Sequence, residues 1–174
     1  GGVEWDLPHL ERLIAGAQRR VRVQLLTYRT VGYDRTYFGR LEAALRSAAA
    51  RGVHVELLLA DWSKRRWTIE GLQSLQVLPR VEVKLMAIPE WSGGFIPYAR
   101  VSHAKYMVAD GRAAWIGTSN WEKGYFFESR NVGLILEGET FCSRLDEYFA
   151  EGWSSSYAEA VDPCAAYEPP RIGE

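Results

Sequence analysis

The sequence predicts an α/β fold: a mixed, largely parallel β-sheet flanked by helices. Two observations predict it. Amphipathic helical stretches alternate with short strand-like stretches over the first 86 residues, an order that makes parallel strands joined by right-handed crossovers. After residue 88 the helix–strand alternation breaks, and two strand patterns meet at Asp110-Gly111, a dipeptide that closes antiparallel hairpins.

Residues 7–19 place Leu7, Leu10, Ile14 and Ala17 on one helical face, with Pro8 suited to the first turn. Residues 21–28 alternate as a strand with one buried face. Asp34 is placed to cap a helix running to about Arg51, whose apolar stripe is Phe38, Leu41, Leu45 and Ala48; Gly52 stops it. Residues 53–59 form the second strand, residues 68–77 a helix ended by Pro79, and residues 81–86 the third strand. Residues 89–99 hold two prolines, two glycines and several aromatics, which reads as a long ordered loop. Strands are expected at 102–109, 113–117 and 131–136. A last helix covers about 140–151 with Phe141, Leu145, Tyr148 and Phe149. Residues 1–174 are read as a single domain, with about 153–174 as a tail that wraps the surface or frays.

Composition narrows the function classes. The chain has 174 residues, 47% hydrophobic and 25% charged, in the range of ordinary globular domains. A formal net charge of −1 gives no overall field to draw it to nucleic acid, so a polyanion would need a local patch. The runs Lys64-Arg65-Arg66 and Arg19-Arg20-Arg22 are the candidates, against the plainer reading of solvated charged faces. No apolar run reaches transmembrane length. The Gly1-Gly2 start leaves room for a lost signal or anchor, and the compartment stays open. Cys142 and Cys164 lack zinc-site spacing and read either as one disulfide or as two free thiols.

The chemistry concentrates in one stretch. His103 and Lys105 stand two positions apart on a predicted strand and so project to one side, while Tyr106 and Val108 point to the other. An imidazole beside an ammonium suits an anionic substrate: the cation holds the charge, and the histidine attacks or moves a proton. The hairpin then brings Gly117-Thr118-Ser119-Asn120 alongside, a source of hydroxyl, amide and backbone donors for phosphate oxygens. Thr118 and Asn120 are the better donors; Ser119 turns away if strand geometry persists.

His103-x-Lys105-x-x-x-x-Asp110 followed by Gly-Thr-Ser-Asn resembles the signature of the phospholipase D superfamily. The run from Phe95 through Val108, Trp115 through Trp121, and then Tyr125-Phe126 is similar to the second half of the lysosomal phospholipase D-like 5′ exonucleases. The resemblance implies half of a pseudo-dimeric fold and a metal-independent phosphodiesterase without a cofactor. It also implies a phosphohistidine on one histidine, with a second histidine protonating the leaving oxygen. His9 and His54 have no lysine two residues on, so a complete site needs a second copy of the chain, as a homodimer, or a missing first catalytic half. The resemblance marks His103, Lys105, Asn120 and Asp110 as catalytic. Asp110 is fully explained by turn chemistry as well. Glu128 is a candidate to orient His103, or a solvated loop residue. Tyr98, Arg100 and Trp121 flank the motif and either stack a base and clamp a phosphate or pack in the core. His54 reads as a half-buried strand histidine. No His/Cys/Asp cluster has metal spacing.

Three functions compete on these residues. A nuclease, most naturally an exonuclease on single-stranded nucleic acid, follows from the subfamily likeness. A phospholipase, transphosphatidylase or cardiolipin synthase-like enzyme would use the same chemistry and want an apolar entry rim of Trp91, Phe95, Ile96 and Trp121. A non-catalytic assembly or binding module would keep the fold without the chemistry, and the joint presence of His103, Lys105 and Asn120 weighs against it.

Overall fold

A computed structural model describes residues 5–173, so Gly1-Gly2 lies outside the described residues. The chain runs α1 (Asp6–Gly16), β1 (Arg20–Leu25), α2 (Arg40–Ala50), β2 (His54–Ala60), a 3-10 turn (Asp61–Lys64), α3 (Ile69–Gln76) and β3 (Val81–Met86). It continues with β4 (Tyr106–Ala109), β5 (Ala113–Gly117), α4 (Lys123–Phe127), β6 (Gly133–Glu137), α5 (Glu139–Ser154) and β7 (Ala158–Ala160). Seven strands form one sheet in the order β6-β5-β4-β1-β2-β3-β7.

The sheet is mixed and helix-flanked, as the sequence predicts, but it is not largely parallel. Only β1–β2 and β2–β3 pair in parallel; the other four pairings are antiparallel. The reason is where helices lie. α2 and α3 carry the chain back to the starting end of the sheet, so the next strand repeats the direction. No helix separates β3 from β4. The chain stays at one end through residues 87–105 and returns antiparallel on the other side of β1.

Two layers of side chains bury the sheet. On one face, Leu7, Leu10, Ile14, Leu41, Leu45, Leu72 and Leu75 from α1, α2 and α3 meet Val21, Val23, Leu25, Val55 and Leu57. On the other, Cys142 and Phe149 of α5 pack on Leu58, Tyr106, Val108 and Ala114. β1 is buried along nearly its whole length, as a central strand must be. It carries Arg22 into the α5 layer, where Nε lies 2.5 Å from Glu56 Oε2 and Nη1 3.0 Å from Asp146 Oδ2. Arg20 also reaches Asp146, at 2.5 Å. Two members of the expected Arg19-Arg20-Arg22 basic patch are therefore neutralised inside a structural network.

Other expectations need correcting. Asp34 does not cap α2, which begins six residues later. Its carboxylate accepts from Thr36 N–H at 3.0 Å and from Lys123 Nζ at 2.6 Å, so it closes a local turn instead. β4 starts at Tyr106 rather than 102. His54 is exposed and lies against Arg80, 2.6 Å away. Beyond Trp153 the tail does wrap the surface, and it adds β7 along β3, with Tyr98 N–H donating to the Ile172 carbonyl at 2.7 Å. Cys142 is buried, Cys164 exposed, and both are free thiols.

Candidate active site

β1, β2 and β3 all finish at one end of the sheet, and β4 begins there. Chain direction reverses between β1 and β4, which makes this end a topological switch point, the usual place for a ligand in an open α/β sheet. His103 and Lys105 sit on the extended lead into β4. Gln24 fixes that lead from the middle of β1: its Nε2 donates to Ser102 Oγ at 2.9 Å, and Tyr106 OH donates to its Oε1 at 2.6 Å. Gln24 follows the alternation of polar Arg20 and Arg22 along β1, which reads as one more polar-face residue, and this anchor was missed.

The structure brings His103 and Lys105 together. Lys105 Nζ lies 3.4 Å from Nδ1 and 3.5 Å from Nε2 of the imidazole, and donates to the His103 carbonyl at 3.1 Å. Lys105 is buried while His103 is exposed. Burial pushes the ammonium below its ordinary range. Burial, and next the Lys105 charge, push the His103 imidazole below its ordinary value. The lowered imidazole value favours the neutral ring near pH 7, with a lone pair to attack or accept a proton. The ring faces a cleft of about 390 Å³ lined by Gln24, Met86, Ile88, Ser102, Tyr148 and Glu151 among others.

The Gly117–Asn120 segment arrives at the same end, tied by the Gly117 N–H to the Lys105 carbonyl at 3.1 Å. Its side chains are largely committed elsewhere. Thr118 Oγ1 donates to Asn131 Oδ1 at 2.9 Å. Ser119 is fully buried and faces the interior. Asn120 is buried: Oδ1 accepts from Thr27 N–H at 3.2 Å, and Nδ2 donates to Tyr125 OH at 3.0 Å. Thr27 Oγ1 in turn donates to Glu122. Thr27, Glu122 and Tyr125 thus brace Asn120, and sequence reading missed all three as a network.

Trp121 is buried among Tyr28 and Trp115, which rules out base stacking and leaves core packing. Glu128 caps α4 and lines a separate cavity of about 460 Å³ with Arg29, Tyr33 and Lys123; no hydrogen bond joins it to His103 among the described residues. Arg100 is exposed and donates from Nε to the Pro89 carbonyl at 2.9 Å. Asp110 lies at the opposite end of β4. Its Oδ1 accepts from the N–H groups of Arg19 at 2.9 Å and Arg20 at 2.8 Å, and its Oδ2 from Gln18 at 2.8 Å. Burial would raise its pKa, but these donors outweigh it and hold the carboxyl below its usual range. The geometry gives Asp110 to the hairpin and not to the His103 site.

Residues 10–153 match the domain family described as "Cardiolipin synthase, PLD-like domain". The chain is 31% identical over 91% of its length to a probable phospholipase D of Caenorhabditis elegans, covering 31% of that protein. It is 33% identical over 90% of its length to the 5'-3' exonuclease PLD4 of Mus musculus, covering 35% of it. The chain thus spans about a third of these curated relatives. Among solved structures, NucT from Helicobacter pylori superposes with a TM-score of 0.71 at 20% identity, over 89% of both chains. The phospholipase D family member Nuc from Salmonella typhimurium gives 0.70 at 14% identity, over 88% of both.

Proposed function

Because this chain belongs to the phospholipase D superfamily, we propose that it supplies one half of a metal-independent phosphodiesterase site acting on single-stranded nucleic acid, with His103 as nucleophile. The observation that carries the reading is the Lys105 ammonium 3.4 Å from the His103 ring, at the strand ends where a ligand can enter. A neutral imidazole nitrogen attacks phosphorus and the bond to the leaving oxygen breaks. That oxygen takes a proton from an imidazolium on the far side, leaving a phosphohistidine. Water then gives its proton to the second imidazole and attacks phosphorus, and the P–N bond breaks. Lys105 offsets the charge on the non-bridging oxygens throughout, the task a divalent ion performs elsewhere.

In-line displacement puts nucleophile and leaving group on opposite sides of phosphorus, so one imidazole does not serve both at once. A second copy of this chain, or another catalytic half, is the source of the acid. Nucleic acid is favoured over lipid because the apolar rim a lipid would want is broken. Trp121 is buried and Phe95 is half-buried beneath the Arg171 guanidinium, 4.0 Å from its ring; only Trp91 and Ile96 remain exposed. The similarity to 5'-3' exonucleases of mouse and human points the same way.

The test is a parallel assay of the purified assembly, its molar mass established, on a fluorescent single-stranded oligonucleotide and a phosphatidyl ester. Oligonucleotide cleavage that survives chelator, with an acid-labile phosphoryl group on His103 after rapid quenching, is expected. Cleavage of the ester alone transfers the site to the lipid reading. Activity lost to chelator and restored by a divalent ion ends the metal-independent mechanism.

A further inference from the structure

Large exposed aromatics gather at the His103 end of the sheet. Tyr33, Trp67 and Tyr98 are 84%, 56% and 71% exposed, each on a loop following β1, β2 or β3. Solvent is a poor environment for such rings, and a globular surface usually exposes them singly and without order. Here two further facts bear on them, the first shared by all three and the second by two. Each ring has an arginine close in sequence: the Arg29 guanidinium lies 4.2 Å from the Tyr33 ring centre, Arg66 4.8 Å from that of Trp67, and Arg100 is two residues beyond Tyr98. Trp67, Tyr98 and Arg100 also hold left-handed backbone, with φ of 68°, 58° and 56°. For a bulky residue that conformation carries strain, which persists only where the surrounding fold enforces it and which gathers at ligand clamps.

The geometry points to Tyr33, Trp67 and Tyr98 as stacking platforms for the unpaired bases of a polynucleotide, with Arg29, Arg66 and Arg100 taking the phosphates between them. This rests on the nucleic-acid reading of the His103 site and adds where the strand beyond the scissile phosphate lies. Every base has a π-face, so stacking holds a strand without regard to sequence, and the guanidinium beside each ring supplies charge that the chain as a whole lacks. Bases inside a duplex are already stacked on each other, so the same surface rejects double strands.

The experiment is fluorescence anisotropy with a 12-residue oligothymidylate, in an H103A chain so that the probe stays intact. Tyr33→Ala and Trp67→Ala should each weaken binding roughly tenfold, and Trp67→Phe should recover most of the loss. Phe141→Ala is the control, because that exposed ring sits at the opposite end of the sheet, and it should change nothing. A duplex of the same length should bind more weakly than the single strand to the H103A chain. Equal affinity across all four variants overturns the proposal, as does a duplex that binds as well as the single strand. The same chains are spun down with phosphatidylglycerol vesicles: capture abolished by Trp67→Ala, with oligothymidylate binding intact, assigns the rings to a lipid surface and also overturns it. These readouts are equilibrium binding, so they stand apart from any failure of turnover.

Discussion

The two ends of the sheet are built differently. At the end where β4 begins, the chain makes long connections, residues 26–39, 61–68 and 87–105, that expose aromatic rings and hold His103 beside a buried ammonium. At the other end, tight turns dominate. Asp110 and Gly111 take φ of 56° and 70°, the pair of positive values a type I′ turn needs, and the Arg112 N–H closes it onto the Ala109 carbonyl at 3.0 Å. Polar groups there are satisfied by backbone, and charges by each other. One end leaves chemistry unspent; the other uses nearly all of its polar groups to hold the fold. Two residues of one sequence motif, His103 and Asp110, therefore do separable jobs although a single short strand joins them.

The sharpest way to break this contrast is to remove each residue and read both activity and stability. His103→Ala should lower turnover of a competent assembly by at least about a thousandfold, with a melting temperature close to that of the parent, since the ring is exposed. Undiminished turnover would end the catalytic assignment. Next in size is Arg22→Met. It removes the short ion pair to Glu56 and one of the two to Asp146 under α5, leaving Arg20 as their remaining cation, and urea unfolding should register a loss of about 3 kcal/mol.

Asp110→Asn should cost about 1–2 kcal/mol and leave the rate of the folded protein unchanged; a large fall in rate at intact fold would return Asp110 to the chemistry. The sign of its pH dependence follows from its lowered folded pKa. The stability it contributes is present above the unfolded carboxyl value, near 4, and is lost as pH falls through the folded value. The stability of the parent and of D110N should therefore converge in acid. The smallest effect sharpens the other end. Lys105→Met removes one of the two causes that lower His103, so the acid limb of kcat/KM, where rate rises as the imidazole loses its proton, should move to higher pH as the rate falls.

Much of the fold was legible because burial imposes periodicity. The first three strands fall within a few residues of expectation, as do α1 and α3 and the end of α2, whose start comes six residues late. Asp34 misled because a carboxylate before a helix is equally at home in a local turn with Thr36. β7 is three residues, Ala-Glu-Ala, and α4 is five; neither is long enough to show a period. At the site, the His/Lys spacing places the two side chains together as expected, while Trp121, open in the sequence to either stacking a base or packing in the core, packs in the core. Strict alternation does not hold there: Ser119, Asn120 and Trp121 are all buried in succession, whereas Thr118 is exposed. What no local pattern contained was the bracing of Asn120 by Thr27, because 93 positions separate them.

The Arg22 guanidinium in β1 has a further consequence for how the molecule comes into being. Its carboxylate on α5 lies 124 positions downstream, so a ribosome delivers the central strand long before the counter-ion that lets it be covered. A nascent chain halted before residue 139 would hold six of the seven strands, with the face that α5 covers bare and Arg22 paired to Glu56 alone. The last long helix thus covers that face of the sheet, and only β7 and the tail follow it along the chain.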